Sequence, residues 1–354
     1  MNKWDRPVRL GVIGAGWFAS RRHMPDAQRD EGVDLVAFCR RDAAAREKLA
    51  HHFGIDAEHA YENWEAMLEY ETLDAVLIAT PNNLHYAQTV AALNKGIHVL
   101  LEKPMTIEPA EAWDLVARAE RAGLHLGVAL NPPFWAHCHR MKHALASKEM
   151  GELESAAMYW TGNAEYVFGK APAPANLPGI VAPTSFRSDP EANGGGYFID
   201  GGSHLVSEVL WVTGQRAVKV ACTMDETPSD MRASLIITLE NGAIVTINSI
   251  GDSGFAGRRV RNVFGASGGV ITVNGFEFDT TIEIHGHPTQ HFKEDELPHA
   301  GTPVGNFCTA IRGEDSLFSP ASHGAHVVDV VCAAYEAART GTTVNIPNRA
   351  GGTA

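Results

Sequence analysis

Up to about residue 130 the chain alternates short β-branched runs with longer stretches of helical period, and few architectures accept that rhythm. Strand-like runs fall at 8–13, 33–39, 75–79, 97–101 and 124–129, with helical stretches at 43–52, 64–69, 86–95 and 108–121. Gly54, Gly96 and Gly123 stand where the helices should stop, because glycine takes the left-handed closing conformation without a Cβ penalty. Regular βαβ alternation predicts an α/β Rossmann-type domain over residues 1–130, a doubly wound parallel sheet with helices on both faces.

After Gly151 the rhythm changes. Runs at 153–160, 218–224, 233–239, 243–250, 258–264, 270–273 and 276–284 read as strands with no crossover helices between them. Asn241-Gly242 is a hairpin signal, since both residues tolerate positive φ. Helices return at 202–212, 303–312 and 322–339, and the Pro/Gly-rich segment 170–190 reads as a long loop. Residues 131–354 are therefore expected to form an α+β domain on a large, mostly antiparallel open sheet. Its closing helix, 322–339, is expected to pack back on the first domain.

The net charge is −13 across 354 residues, with no basic stripe, which argues against nucleic acid or an anionic membrane as partner. No apolar run approaches the ~20 residues a membrane span needs. The first strand begins too early to leave room for a signal peptide. The five cysteines are widely spaced with no Cys-x-x-Cys pair, which points to a reduced cytoplasmic protein without a disulfide framework or structural zinc.

The first strand runs into Gly14-Ala-Gly16-Trp17-Phe18-Ala19, a G-x-G-x-x-A form of the dinucleotide fingerprint. Its glycines permit the tight turn and the approach of a pyrophosphate, and Ala19 keeps the helix near its strand. The second strand ends at Cys39-Arg40-Arg41-Asp42. A guanidinium stacks on adenine and pairs with a 2′-phosphate, so the arginines favour NADP(H), with NAD(H) possible. The competing reading has Asp42 on a ribose and the arginines solvated. Thr80-Pro81-Asn82 ends the third long strand and Glu102-Lys103-Pro104 the fourth, where a doubly wound sheet collects its ligands.

Together with His23, His85, Gly194-Gly195-Gly196 and Asp200-x-Gly-x-His204, these motifs resemble the Gfo/Idh/MocA oxidoreductases over almost the whole chain. The resemblance implies Lys103 at the reacting hydroxyl, His204 as acid/base and Asp200 as substrate orienter, with Asp200 also suited to cap the following helix. An imidazole with an unperturbed pKa of roughly 6.5 suits proton transfer near neutral pH. Glu102 and His85 belong to the expected nucleotide site with the residues already named. The resemblance also implies a homodimer or homotetramer built on the second sheet. Where many relatives carry basic residues after the sixth strand, this chain has Asn131-Pro-Pro-Phe134-Trp135. That substitution suggests an uncharged sugar or polyol, contacted by Asn131, Trp135, Tyr166 and Arg187.

His137-Cys138-His139 with His143 has a metal-like spacing but no acidic or second cysteine ligand nearby in sequence, so no metal is expected. Two other functions fit the same motifs. One is a redox-neutral glycoside-cleaving enzyme with tightly held cofactor; the other is a non-catalytic nucleotide-sensing regulator, for which a proton-transfer set would be idle.

Overall fold

The computed structural model describes residues 6–174, 177–225, 229–255, 257 and 259–349. They form two compact units. The first comprises residues up to 130, 173–187 and 301–324; the second comprises 131–172, 188–300 and those from 325 on.

The first unit contains β1 (Val8–Ile13), α1 (Trp17–Arg21), α2 (His23–Arg29), β2 (Val33–Cys39), α3 (Ala43–Phe53), β3 (Ala60–Tyr61), α4 (Trp64–Tyr70), β4 (Ala75–Ile78), α5 (His85–Asn94), β5 (His98–Leu101), α6 (Pro109–Ala122) and β6 (Leu126–Val128). Its six strands run in the order β3-β2-β1-β4-β5-β6, every pair parallel. Parallel strands covered on both faces read as continuous apolar runs, and β4 and β5 are buried along their whole length. The order reverses at β1, so the crevice for a ligand lies beyond the C-terminal ends of β1 and β4.

The second unit contains α7 (Ala136–Leu145), β7 (Leu153–Thr161), α8 (Pro190–Asn193), α9 (Ser203–Thr213), β8 (Ala217–Met224), β9 (Arg232–Leu239), β10 (Ile244–Ile250), β11 (Arg259–Ala266), β12 (Gly269–Asn274), β13 (Asp279–Ile284) and β14 (Gln290–Phe292). Two helices follow, α10 (Pro303–Arg312) in the first unit and α11 (Ala321–Thr340), then β15 (Val344–Asn345). The nine strands take the order β14-β13-β12-β11-β7-β10-β9-β8-β15, antiparallel except for β7 beside β10. One face is core. The other exposes Tyr159, Ile236 and Ile244.

Several expectations differ in detail. Arg258, expected to open a strand, lies outside the described residues, and β11 is described from Arg259. The run expected as strand from 276 pairs only from Asp279, because Phe278 adopts φ 53. At the β9–β10 turn only Gly242 takes positive φ, while Asn241 bonds its side chain to the Ala243 N–H.

The chain returns to the first unit twice. Val304, Phe307, Cys308 and Ile311 of α10 are buried in one core with Val8, Leu10 and Met24, an amphipathic face completing the layer over the sheet. Part of the long loop returns too: Trp17 donates its indole N–H to the Pro178 carbonyl at 2.8 Å, and Ile180 and Val181 pack on that core.

Candidate active site

In the first unit a cavity of about 740 Å³ opens where the strand order reverses. Gly14, Gly16, Trp17, Phe18, Ala19, Cys39, Arg40, Arg41, Thr80, Pro81, Asn82, Glu102 and Lys103 all line it. Gly14 has φ +84, and a Cβ there would sit 2.7 Å from Thr80 Cγ2 and 2.8 Å from the Ala79 carbonyl carbon, so conformation and space both demand glycine. The turn thereby brings bare backbone to the cavity, as a pyrophosphate requires.

Beside the same turn, where its Nη1 would lie 3.5 Å from a Cβ on Gly16, Arg40 has its Nε buried without a hydrogen-bond partner. Arg46 holds the Arg40 carbonyl at 2.7 Å and so fixes the turn that presents the guanidinium. Asp42, the rival ribose ligand, is the N-cap of α3 and accepts from the Ala45 N–H at 2.7 Å. Pro183, Thr184, Phe186 and Arg187 form another wall, with the Arg187 guanidinium 4.6 Å from the centroid of the Phe186 ring. Arg187, expected at a substrate, thus lines the same cavity as the glycine turn and Lys103. Nothing periodic in 173–187 announces this placement.

The loop bearing Lys103 is pinned from below. Glu102 is buried, accepting from His23 Nε2 at 2.5 Å and from the Lys103 backbone N–H at 3.0 Å. Burial alone would raise its pKa, but the His23 hydrogen bond and the charges of His23 and Lys103 prevail and hold it below the ordinary carboxylate value. His85 does not line the cavity. It is fully buried, with Nδ1 2.9 Å from the Pro104 carbonyl and Nε2 3.1 Å from that of Thr80, and so ties the two loops together. Burial lowers its pKa against the pull of those carbonyls.

In the second unit, Asp200 lies in a π-helical turn, Phe198–Gly202, that runs directly into α9 with His204 in its first turn. Both side chains are half-buried. Asp200 does not cap α9; the N-cap is Gly202, without a side-chain bond. The turn hangs on a residue that the sequence did not reveal. Asp230, with φ 33, accepts from the N–H groups of Gly196 (2.7 Å) and Phe198 (2.5 Å) and from the Tyr335 hydroxyl (2.9 Å). Tyr335 in turn accepts the Ile199 N–H at 3.1 Å. This explains the glycine triplet: a Cβ on Gly196 would lie 2.2 Å from the Ser229 carbonyl carbon, and one on Gly195 2.5 Å from the Tyr335 oxygen.

Trp135 stands 6.4 Å from His204, ring centre to ring centre, and stacks with Trp160 at 6.0 Å and Phe278 at 5.3 Å. Asn131 precedes the short turn Pro132–Phe134, and Tyr166 lies half-buried in the turn Glu165–Phe168. Phe168, in the same turn, packs with Tyr197 and Met231. The histidines of α7 diverge: His139 Nε2 lies 2.7 Å from the Pro133 carbonyl, His143 is exposed, and His137 points inward.

Two family models match in sequence, one described as an oxidoreductase family with an NAD-binding Rossmann fold over residues 8–130, the other as the GFO/IDH/MocA C-terminal domain over 138–271. The chain belongs to the Gfo/Idh/MocA family. As a Gfo/Idh/MocA member it is an NAD(P)-binding oxidoreductase. It is 25% identical to the D-glucoside 3-dehydrogenase of Escherichia coli K12, across 96% of this chain and 98% of that one. It is 30% identical to an NADP-dependent D-xylose 1-dehydrogenase of Haloferax volcanii, across 70% of each. An inositol dehydrogenase homolog from Azotobacter vinelandii, solved with NAD+, shares the Gfo/Idh/MocA fold at TM-score 0.81 and 22% identity, covering 97% of this chain and 98% of that one. Among the described residues no helix is long and apolar enough to cross a membrane.

Proposed function

We propose that this oxidoreductase prefers NADP(H), uses NAD(H) less well, and moves hydride to or from a secondary alcohol or hemiacetal carbon of a sugar or cyclitol. The observation carrying the cofactor reading is Arg40: a guanidinium on the cavity wall with its Nε buried and unmet, beside a carboxylate already engaged as a helix cap. A 2′-phosphate supplies the acceptor that such a group lacks. The names of the Escherichia and Haloferax relatives support a sugar or glycoside substrate.

When bound, the nicotinamide supplies the hydride acceptor or donor. The chain's own part is the proton. As the carbinol carbon is oxidised its hydroxyl proton passes to His204, while the Lys103 ammonium stabilises the developing alkoxide and Asp200 orients the substrate. Reduction runs the same transfer backwards. The aromatic shelf of Trp135, Trp160 and Phe278 offers flat apolar surface for the C–H face of an uncharged sugar. Asn131 and Tyr166 add polar contacts. The proposed setting is a reducing cytoplasm, in keeping with five widely spaced cysteines without a Cys-x-x-Cys pair, and a homodimer or homotetramer formed on the sheet face that exposes Tyr159, Ile236 and Ile244.

The test follows nicotinamide absorbance with NADP+ and NAD+ across aldoses, cyclitols and glycosides. Turnover is expected to be faster with NADP+. Lys103→Ala and His204→Ala should lose turnover while still binding nucleotide, and normal turnover in either removes that residue's role. Silence across the panel, in protein that keeps its nucleotide through gel filtration and cleaves glycosides unaided, would replace this reading with the redox-neutral one.

A further inference from the structure

The second unit buries a cluster that the redox chemistry does not use. His137 and Cys138 are adjacent on α7 and Glu208 lies on α9; all three are fully buried. A nitrogen of His137, the sulfur of Cys138 and a carboxylate oxygen of Glu208 lie within 4.8 Å of one another. We propose that these three side chains form a structural site for a divalent transition-metal ion of the zinc class, tying α7 to α9.

Four observations support it. First, the histidine is held in a ligand's tautomer. Glu294 accepts the Ala136 N–H on Oε1 (2.8 Å), and on Oε2 both the His137 N–H (3.0 Å) and His137 Nδ1 (2.8 Å). A carboxylate acting as acceptor three times fixes the proton on Nδ1 and leaves the Nε2 lone pair facing inward, the arrangement in which an outer carboxylate orients a metal-bound histidine. Second, Nε2 and Cys138 Sγ are 3.4 Å apart. Ligand lengths of about 2.1 Å to nitrogen and 2.3 Å to sulfur place two donors that far apart at an angle of about 100°, near tetrahedral.

Third, Glu208 is poised but incomplete. Asn262 Nδ2 donates to its Oε1 at 2.9 Å, whereas Oε2 is buried without a partner, as is Asn262 Oδ1. A carboxyl oxygen left unmet in an apolar interior is costly, and a cation is one remedy. Asn262 Oδ1 is the candidate fourth donor. Fourth, the donor set is selective. Imidazole and thiolate beside one carboxylate suit zinc and its neighbours in the transition series, whereas calcium and magnesium take oxygen cages.

Sequence spacing concealed the site because its acidic members stand on α9 and on the turn Glu294–Glu296. Its consequence reaches the aromatic shelf. The His137 ring stacks on Phe278 at 4.3 Å and on Trp135 at 5.6 Å, so an ion holding His137 would also fix the rings beside His204.

The test needs no substrate and no nucleotide. Tag-free protein is produced in cells supplied with zinc or cobalt, and metal content is measured after gel filtration. One equivalent of zinc per chain is expected, released by a chelator only on unfolding. The cobalt form should show a thiolate-to-metal charge-transfer band and intense tetrahedral d–d absorption. Cys138→Ser and His137→Gln should lose the band and the stoichiometry, while Cys222→Ser retains both. Wild-type protein that carries no stoichiometric zinc after gel filtration, or a wild-type cobalt form without the thiolate band, overturns the proposal; because both readings are made on wild type, a variant that misfolds does not rescue it.

Discussion

The Asp230→Asn substitution tests how the turn bearing Asp200 is held. Asp230 accepts three hydrogen bonds in a nearly closed site, two on Oδ2 from Gly196 and Tyr335 and one on Oδ1 from Phe198. Asparagine tolerates the positive φ, so the backbone is not the issue. Its single carbonyl oxygen serves the Oδ2 side, but its NH2 group then faces the Phe198 N–H. One charge-assisted bond worth about 1.5–3 kcal/mol is lost, and the other two weaken to the neutral range near 1 kcal/mol each. Against this stands the relief of a carboxylate whose pKa burial already raises. The net expectation is a loss of about 2–4 kcal/mol, read as a lower urea midpoint. Tyr335→Phe should cost less, and the double variant less than the sum, since the two residues share a bond. A turn loosened by about 1 Å should also cost roughly 100-fold in turnover, with nucleotide binding unchanged because its cavity belongs to the first unit. A stability change under about 0.5 kcal/mol, the level of an ordinary surface substitution, would refute the reasoning. So would a matching loss of nucleotide affinity.

Three further predictions concern the nucleotide cavity. Gly14→Ala, which meets Thr80 and Ala79 and strains the turn, should weaken nucleotide binding at least ~100-fold by calorimetry; unchanged affinity would show that the turn is not the phosphate seat. Arg40→Ser should weaken NADP+ by about 10–100-fold, the worth of one charge-assisted guanidinium–phosphate contact, with NAD+ affected little; equal losses would dissociate Arg40 from the 2′-phosphate. Glu102 has a folded pKa below its unfolded value of about 4.3, so the stability it contributes is complete above that pH and is lost as pH falls through the folded pKa. Glu102→Gln should therefore melt lower than wild type at pH 7, with the gap closing in acid; a gap that persists there would mean the ion pair is not its source.

Much of the fold is legible because its elements announce themselves locally. β4 is apolar throughout since both its faces are covered, and α3 starts at a capping aspartate and stops at Gly54. α2 lacks such marks: it carries Pro25 in its first turn, and no side chain caps it. β3 is only two residues long and exists by pairing with the end of β2. The glycines, Arg40 and Lys103 were readable because a strand followed by a tight turn dictates what stands at its tip. Asp230 was not. Its partners lie at positions 196, 198 and 335, and an aspartate met only across such separations looks in sequence like any loop residue. The same holds for α10: its amphipathic period reveals a helix, yet nothing in that period says which core receives it.

That placement of α10 bears on how the protein is made. Val8 and Leu10 are synthesised about 300 residues ahead of Phe307 and Ile311, with which they share a core. At roughly 5–20 residues per second, the nascent first unit waits on the order of ten to thirty seconds with α10's share of that core missing beside Met24 of α2 and Leu49 of α3. Domains commonly fold in the order of their synthesis; here β1 completes its core only once α10 has been made, and whatever shields that core meanwhile, a chaperone or the rest of the nascent sheet, becomes part of the route to the native state.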